Sequence, residues 1–227
     1  IDQVHQIVKN FSTSYVDLML IHWPVNYGPC SYKGPPHGQS IPTTDKACDT
    51  ALSTYSEKQC RLNTWRAMVE VYNKGLVHAI GVSNYNTTHL QEIIDAKMPL
   101  PSLNQVPFSP HHGLNKKGCT PYTTDETCGE LLDFCKKHNI VLNGYSPFGG
   151  AGGAKTLLVE PAIVAIAKAH NTSSAQVVLA WQWALGIPVN PEATSAQYQQ
   201  ENLDIFGFTL SAAEMQTLSN YPPKRLR

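Results

Sequence analysis

Alternation constrains this chain more than any other feature. Apolar runs of strand length at 15–21, 77–82, 103–106, 140–145 and 187–189 alternate with stretches that repeat apolar residues at helical spacing. Those stretches are 1–14 (Val4, Ile7, Val8, Phe11), 62–74 (Trp65, Met68, Val69, Tyr72, closed by Gly75), 89–96, 129–138, 161–170 and 175–184. A short, nearly continuous apolar run reads as a strand buried on both faces, and strands that alternate with helices pair in parallel through right-handed crossovers. Polar residues stand just beyond the strand ends: His22 and Trp23, Ser83 and Asn84, Gln105, Tyr145 and Ser146, and Glu192. In a (β/α) barrel such ends converge on one mouth, where side chains from different strands meet one ligand.

The 227 residues suffice for one sizeable core, so the expectation is a single domain over 1–227. Lys plus Arg is 17 and Asp plus Glu is 17, and the zero balance argues against nucleic acid as a partner. No apolar run approaches the roughly 20 residues of a membrane span; the longest, 16–23, is interrupted by Asp17 and His22. From about 24 to 60 the chain is rich in Pro, Gly, Thr and Cys without periodicity, which predicts a long excursion loop and a place for a partner or a passive Ω-like turn.

The six cysteines, at 30, 48, 60, 119, 128 and 135, contain no C-x-x-C, so the expectation is no metal site. All but Cys135 fall in loop-like sequence; Cys135 lies on a helical pattern and reads as a buried thiol. Cys119 and Cys128 bracket a short Thr-, Pro- and Tyr-rich stretch and are expected to be joined. Asn10, Asn86 and Asn171 each open an N-x-[S/T] sequon. Loop cysteines, sequons and a charged fraction of 15% together favour a secreted or lumenal glycoprotein; the alternative is a cytoplasmic chain with free thiols. The pair His111-His112 reads as a surface turn, and Lys224, Arg225 and Arg227 as a solvated tail.

The segments YVDLMLIHWPV (15–25), GLVHAIGVSNYN (75–86), LNQV (103–106), GYSPFG (144–149) and ENLDIF (201–206) resemble, in order, the strand-end motifs of the aldo-keto reductase family. That family consists of (β/α)8 TIM-type barrels that transfer hydride from a nicotinamide cofactor, NAD or NADP, to an aldehyde or ketone. The resemblance implies that His22 is the active-site histidine and Trp23 its neighbour in the substrate pocket. It implies that Ser83, Asn84 and Gln105 hydrogen-bond the nicotinamide carboxamide and that Tyr145 stacks on the ring. Ser146, Phe148 and Gly149 belong to the loop under the pyrophosphate, and Asn202 to the cofactor site.

Measured against that pattern the sequence departs in three ways. It opens at the helix before the fourth barrel strand, so about five of eight β/α units are expected here, without the catalytic Asp, Tyr and Lys of the family. An open arc of parallel sheet exposes two edges, and the expectation is an assembly in which a protein partner or an upstream fragment closes the barrel. With Pro191 as the family's proline, Glu192 and Tyr198 stand where the family places the lysine and arginine that hold the 2′-phosphate, which disfavours NADP; like charges at that range repel by roughly 1 to 4 kcal/mol. With Pro188 in that place instead, Val189 replaces the lysine and the positive charge is still lost. Pro107 and Ser109 replace the family's acidic and histidine residues after the Asn-Gln strand. These departures lead to the expectation of a pseudoenzyme with a structural or binding role, the alternative being an active, NAD-preferring reductase of aldehydes or ketones.

Overall fold

The computed structural model of the chain describes residues 2–24, 56–121 and 125–221. They fall into two compact units, Ile1–Leu103 and Asn104–Arg227.

In the first unit, α1 (Asp2–Asn10) leads into β1 (Val16–Ile21), and α2 (Glu57–Asn73) leads into β2 (Val77–Ser83) and α3 (Thr87–Asp95). β1 and β2 pair in parallel from Val16 opposite Val77 to Ile21 opposite Val82. The helices contribute Val4, Val8, Trp65, Val71, Leu90 and Ile93, all buried, and β2 is largely buried; β1, expected to be buried on both faces, has no buried residue and leaves Leu18 40% exposed. The Trp65 indole N–H donates to the Pro99 carbonyl at 2.8 Å, so the largest core side chain leaves no polar atom unpaired. At Gly81 a Cβ would lie 2.6 Å from the Leu103 carbonyl oxygen, a contact only glycine avoids.

The second unit contains β3 (Leu103–Pro107) from Asn104 onward, α4 (Cys128–Lys137), β4 (Val141–Tyr145), α5 (Ala154–Leu157), α6 (Pro161–Ala169), α7 (Ser174–Ala184), β5 (Val189–Asn190), α8 (Ala196–Leu203) and α9 (Ala212–Ser219). Its strands lie in the order β3-β4-β5, and β4 pairs in parallel with β5. Phe108 and Trp181 stack with centroids 5.3 Å apart, and the Trp181 indole donates to Ser219 Oγ at 3.0 Å, tying α7 to α9. Capping boxes start α2, α3, α4, α7 and α9, at Ser56, Asn86, Thr127, Ser173 and Ser211, each satisfying two otherwise orphaned backbone groups.

Several expectations are corrected. The helix expected from residue 62 starts at Glu57, because the capping box of Ser56 and Gln59 outweighs the lack of apolar periodicity in that turn. Cys60, assigned to the excursion loop, is therefore a buried helical thiol. The last strand is Val189–Asn190 rather than 187–189; Ile187 precedes it and is fully buried. The turn at His111-His112 is present, but the His112 ring packs inward, with Nδ1 3.0 Å from the buried Ser109 Oγ. Burial, then the neighbouring His111 and Lys116, push its pKa down to about 4.

Cys119 and Cys128 are joined by a disulfide. Cys135 is fully buried in α4, and burial pushes its thiol up to about 12. Cys30, Cys48, nearly all of the 24–60 loop and the 224–227 tail lie outside the described residues. Among the described residues no helix is long and apolar enough to cross a membrane.

Candidate active site

In the first unit the polar residues gather where β1 and β2 end. His22 follows the last residue of β1 and stacks on Trp23, with centroids 4.8 Å apart and planes at 24°. Its imidazole reaches solvent, and partial burial holds its pKa below the ordinary histidine value, which favours the neutral ring. Ser83 closes β2, and Asn84 follows with φ 63°, a left-handed conformation that asparagine tolerates better than most residues. That turn buries the Asn84 side chain completely and aims Nδ2 at the His22 carbonyl (3.0 Å) and at Ser83 Oγ (3.1 Å). The backbone of the histidine is thus fixed by the residue expected to contact a cofactor.

Behind this turn lies a pairing that sequence reasoning missed. The Arg61 guanidinium of α2 forms a two-point pair with Glu92 of α3, and its NH1 also reaches the Pro24 carbonyl at 3.4 Å. Arg61 and Glu92 are far apart in sequence and neither lies in a motif, so only their low exposure marks them.

In the second unit, Gln105 of β3 donates Nε2 to Asn143 Oδ1 of β4 at 2.7 Å. Asn143 in turn donates Nδ2 to the Pro188 carbonyl at 2.9 Å and to Asn190 Oδ1 at 3.3 Å. Tyr145 lies two residues beyond Asn143 on the same face of β4, opposite Asn190 in the register. The chain then turns through Ser146 (φ 52°), half-buried Phe148 and Gly149 (φ 90°), closed by the Gly149 N–H donating to the Ser146 carbonyl at 2.9 Å. Asn143 is a second site residue that motif reading overlooked; a lone asparagine inside an apolar strand was its signal, since a buried amide requires partners.

The remaining expected positions are more open. Glu192 is exposed just past β5, Tyr198 is exposed on α8, and Asn202 is half-buried near the end of α8. Between Lys168 and Lys224 the sequence has no Lys or Arg, so this stretch offers no alternative lysine or arginine for a phosphate. Asn10 ends α1, Asn86 caps α3 by accepting the His89 N–H at 2.9 Å, and exposed Asn171 has φ 51°.

Parallel strands with polar residues gathered at their carboxyl ends define a β/α protein of the kind that binds ligands at those ends. The chain belongs to the aldo-keto reductase family: the family model described as Aldo/keto reductase family matches residues 1–221. Aldo-keto reductase family 1 member A1 of Xenopus tropicalis is 30% identical over 222 residues, covering 95% of this chain and 60% of that protein. An aldo-keto reductase from a Medee basin deep-sea metagenome library has a TM-score of 0.71 and 28% identity, over 96% of this chain and 64% of that one. A mutant of Gox0644, crystallised in complex with NADPH, has a TM-score of 0.71 and 28% identity, over 98% of this chain and 65% of that one. The chain spans about 60% of the length of the curated relatives it matches.

Proposed function

We propose that this chain supplies the histidine-bearing and nicotinamide-binding part of a reductase of aldehydes or ketones that uses NADH in preference to NADPH. The observation that carries the reading is the His22 backbone held by buried Asn84, at strand ends where the family keeps these residue types. A neutral imidazole can donate an N–H to a carbonyl oxygen and stabilise the negative charge that grows there during reduction. The hydride itself is the chemistry a bound nicotinamide supplies.

Within each unit the residue types suit a nicotinamide: Ser83 and Asn84 of the first unit and Gln105 of the second carry donors and acceptors of the kind a carboxamide needs, and Tyr145 of the second has a planar apolar face of the kind that stacks on a ring. They do not fit the 2′-phosphate that distinguishes NADP. Glu192 brings a negative charge to the position of the family's lysine, and Tyr198 no charge to that of its arginine.

Equilibrium binding of NADH and NADPH to the chain, followed by cofactor fluorescence, tests the preference. NADH is expected to bind at least about tenfold more tightly, and Glu192→Lys to shift the ratio toward NADPH by a similar factor. An unchanged ratio would refute the role of Glu192. Reduction of simple aldehydes by the natural protein that carries this chain, followed by loss of NADH absorbance, tests the chemistry: turnover abolished by His22→Ala supports the reading, and tight binding without turnover there assigns a non-catalytic role.

A further inference from the structure

We propose that Asn143 is a positioning residue that sets the orientation of the Gln105 carboxamide, so that Gln105 meets the amide of a nicotinamide as an acceptor. The inference rests on the nicotinamide reading above and deepens it. A glutamine amide has a donor end and an acceptor end that are nearly identical in shape, so its shape alone does not fix which end faces a ligand. What fixes the orientation is a neighbour that can take only one role.

Asn143 is such a neighbour, because its own orientation is determined by the strand beyond it. The Pro188 carbonyl can only accept, so the Asn143 end that faces it, at 2.9 Å, must be Nδ2. Asn143 Oδ1 is therefore the end turned toward β3, and it accepts from Gln105 Nε2 at 2.7 Å. The constraint passes from a proline carbonyl, through one buried asparagine, to the glutamine of β3. Reversing Gln105 would bring two carbonyl-type oxygens together beside a 5% exposed side chain, where water cannot relieve the repulsion. The Asn143 Nδ2 contact with Asn190 Oδ1 at 3.3 Å adds to the same orientation.

Two variants separate this role from simple packing. Asn143→Asp keeps an acceptor for Gln105 Nε2 while losing the donation to Pro188. Asn143→Leu removes both. A structural role would make both variants alike; orientation control predicts that Gln105 is held less firmly in the leucine variant than in the aspartate one.

The first measurement needs no ligand. Hydrogen exchange of the Gln105 side-chain NH2, followed by NMR, is expected to be slow in the wild-type chain and in Asn143→Asp, and at least about tenfold faster in Asn143→Leu. Equal rates in all three overturn the proposal. The second measurement compares NAD with its 3-acetylpyridine analogue, in which a methyl replaces the amide NH2. Wild type and Asn143→Asp are expected to prefer NAD by about tenfold, and Asn143→Leu by no more than about twofold, while ADP-ribose binds all three alike. Full discrimination retained in Asn143→Leu overturns the positioning role alone. Absence of NAD and ADP-ribose binding to the wild-type chain overturns the nicotinamide reading and the role built on it, whatever the exchange rates.

Discussion

Arg61 and Glu92 face each other with both guanidinium donors engaged, Nε to Oε2 at 2.8 Å and NH2 to Oε1 at 2.7 Å, and their side chains are only 10% and 11% exposed. A planar fork matched to a carboxylate is the strongest form of ion pair, and here it joins α2 to α3 beneath the turn that carries Asn84. Removing one partner leaves the other charge with little water to solvate it. Glu92→Gln or Arg61→Leu should therefore cost about 2 to 4 kcal/mol in urea unfolding, whereas the double variant Arg61→Leu/Glu92→Leu should lie within about 1 kcal/mol of wild type. Additive single losses would show that the two residues act independently.

Asn84 has two separable functions in the fold, a left-handed backbone and a donor for the His22 carbonyl. Asn84→Gly keeps the first and loses the second; Asn84→Ala loses both. Unfolding free energies should rank Asn above Gly above Ala, with the alanine variant about 1 kcal/mol below the glycine one for the backbone alone. Equal stability of the two variants would show that the backbone at 84 relaxes out of the left-handed region.

His89 and His112 predict how stability responds to acid. Burial, reinforced by Arg61 at His89, pushes each pKa down to about 4. In the unfolded chain a histidine takes its proton near 6.5, so between about 6.5 and 4 the unfolded state binds more protons than the native one. The stability contributed by these neutral rings is complete above about pH 6.5 and is lost as pH falls toward 4, by up to about 1.4 kcal/mol per pH unit for each. His89 occupies the third helical position of α3, where glutamine also completes a capping box. His89→Gln should accordingly fold normally at pH 7.5 and lose roughly half of the pH dependence measured between 6.5 and 5. An unaltered slope would remove His89 from the account.

What the sequence made legible follows from the physics of each element. β2 and β4 could be read because their buried positions, Val77, Ile80 and Val82 or Leu142, must be apolar; β1 reads as a strand from its apolar run although none of its residues is buried. α8 could not, because no residue of Ala196–Leu203 is buried and periodicity has nothing to report. α9 carried a readable signal in the Ser211–Glu214 capping box, which apolar spacing alone overlooks. His22, Ser83, Asn84, Gln105 and Tyr145 stand in motifs, so the sequence alone singles them out as candidates. Arg61, Glu92 and Asn143 act through partners 31 to 45 residues away, and only the folded chain brings those partners within reach.

The disulfide between Cys119 and Cys128 closes a loop of sequence separation 9 immediately before α4. The same loop is held by backbone pairing of Lys117 with Thr127 and by the Gly118 N–H donating to the Glu126 carbonyl at 2.9 Å, so the covalent link and the hydrogen bonds enforce one geometry. Closing so short a loop in the unfolded chain removes conformational entropy worth about 2.5 kcal/mol in the chain-entropy account. Because Thr127 caps α4 and Cys128 is its first residue, the link also fixes where that helix begins. Reduction, or the variant Cys119→Ala/Cys128→Ala, should lower the unfolding free energy by about 2 to 3 kcal/mol and speed amide exchange in the first turn of α4, while Leu131 and Cys135 further along remain protected. Thiol alkylation of the non-reduced protein, read by mass spectrometry, checks the bond itself: labelling of either cysteine before reduction would refute the link and the stability assigned to it.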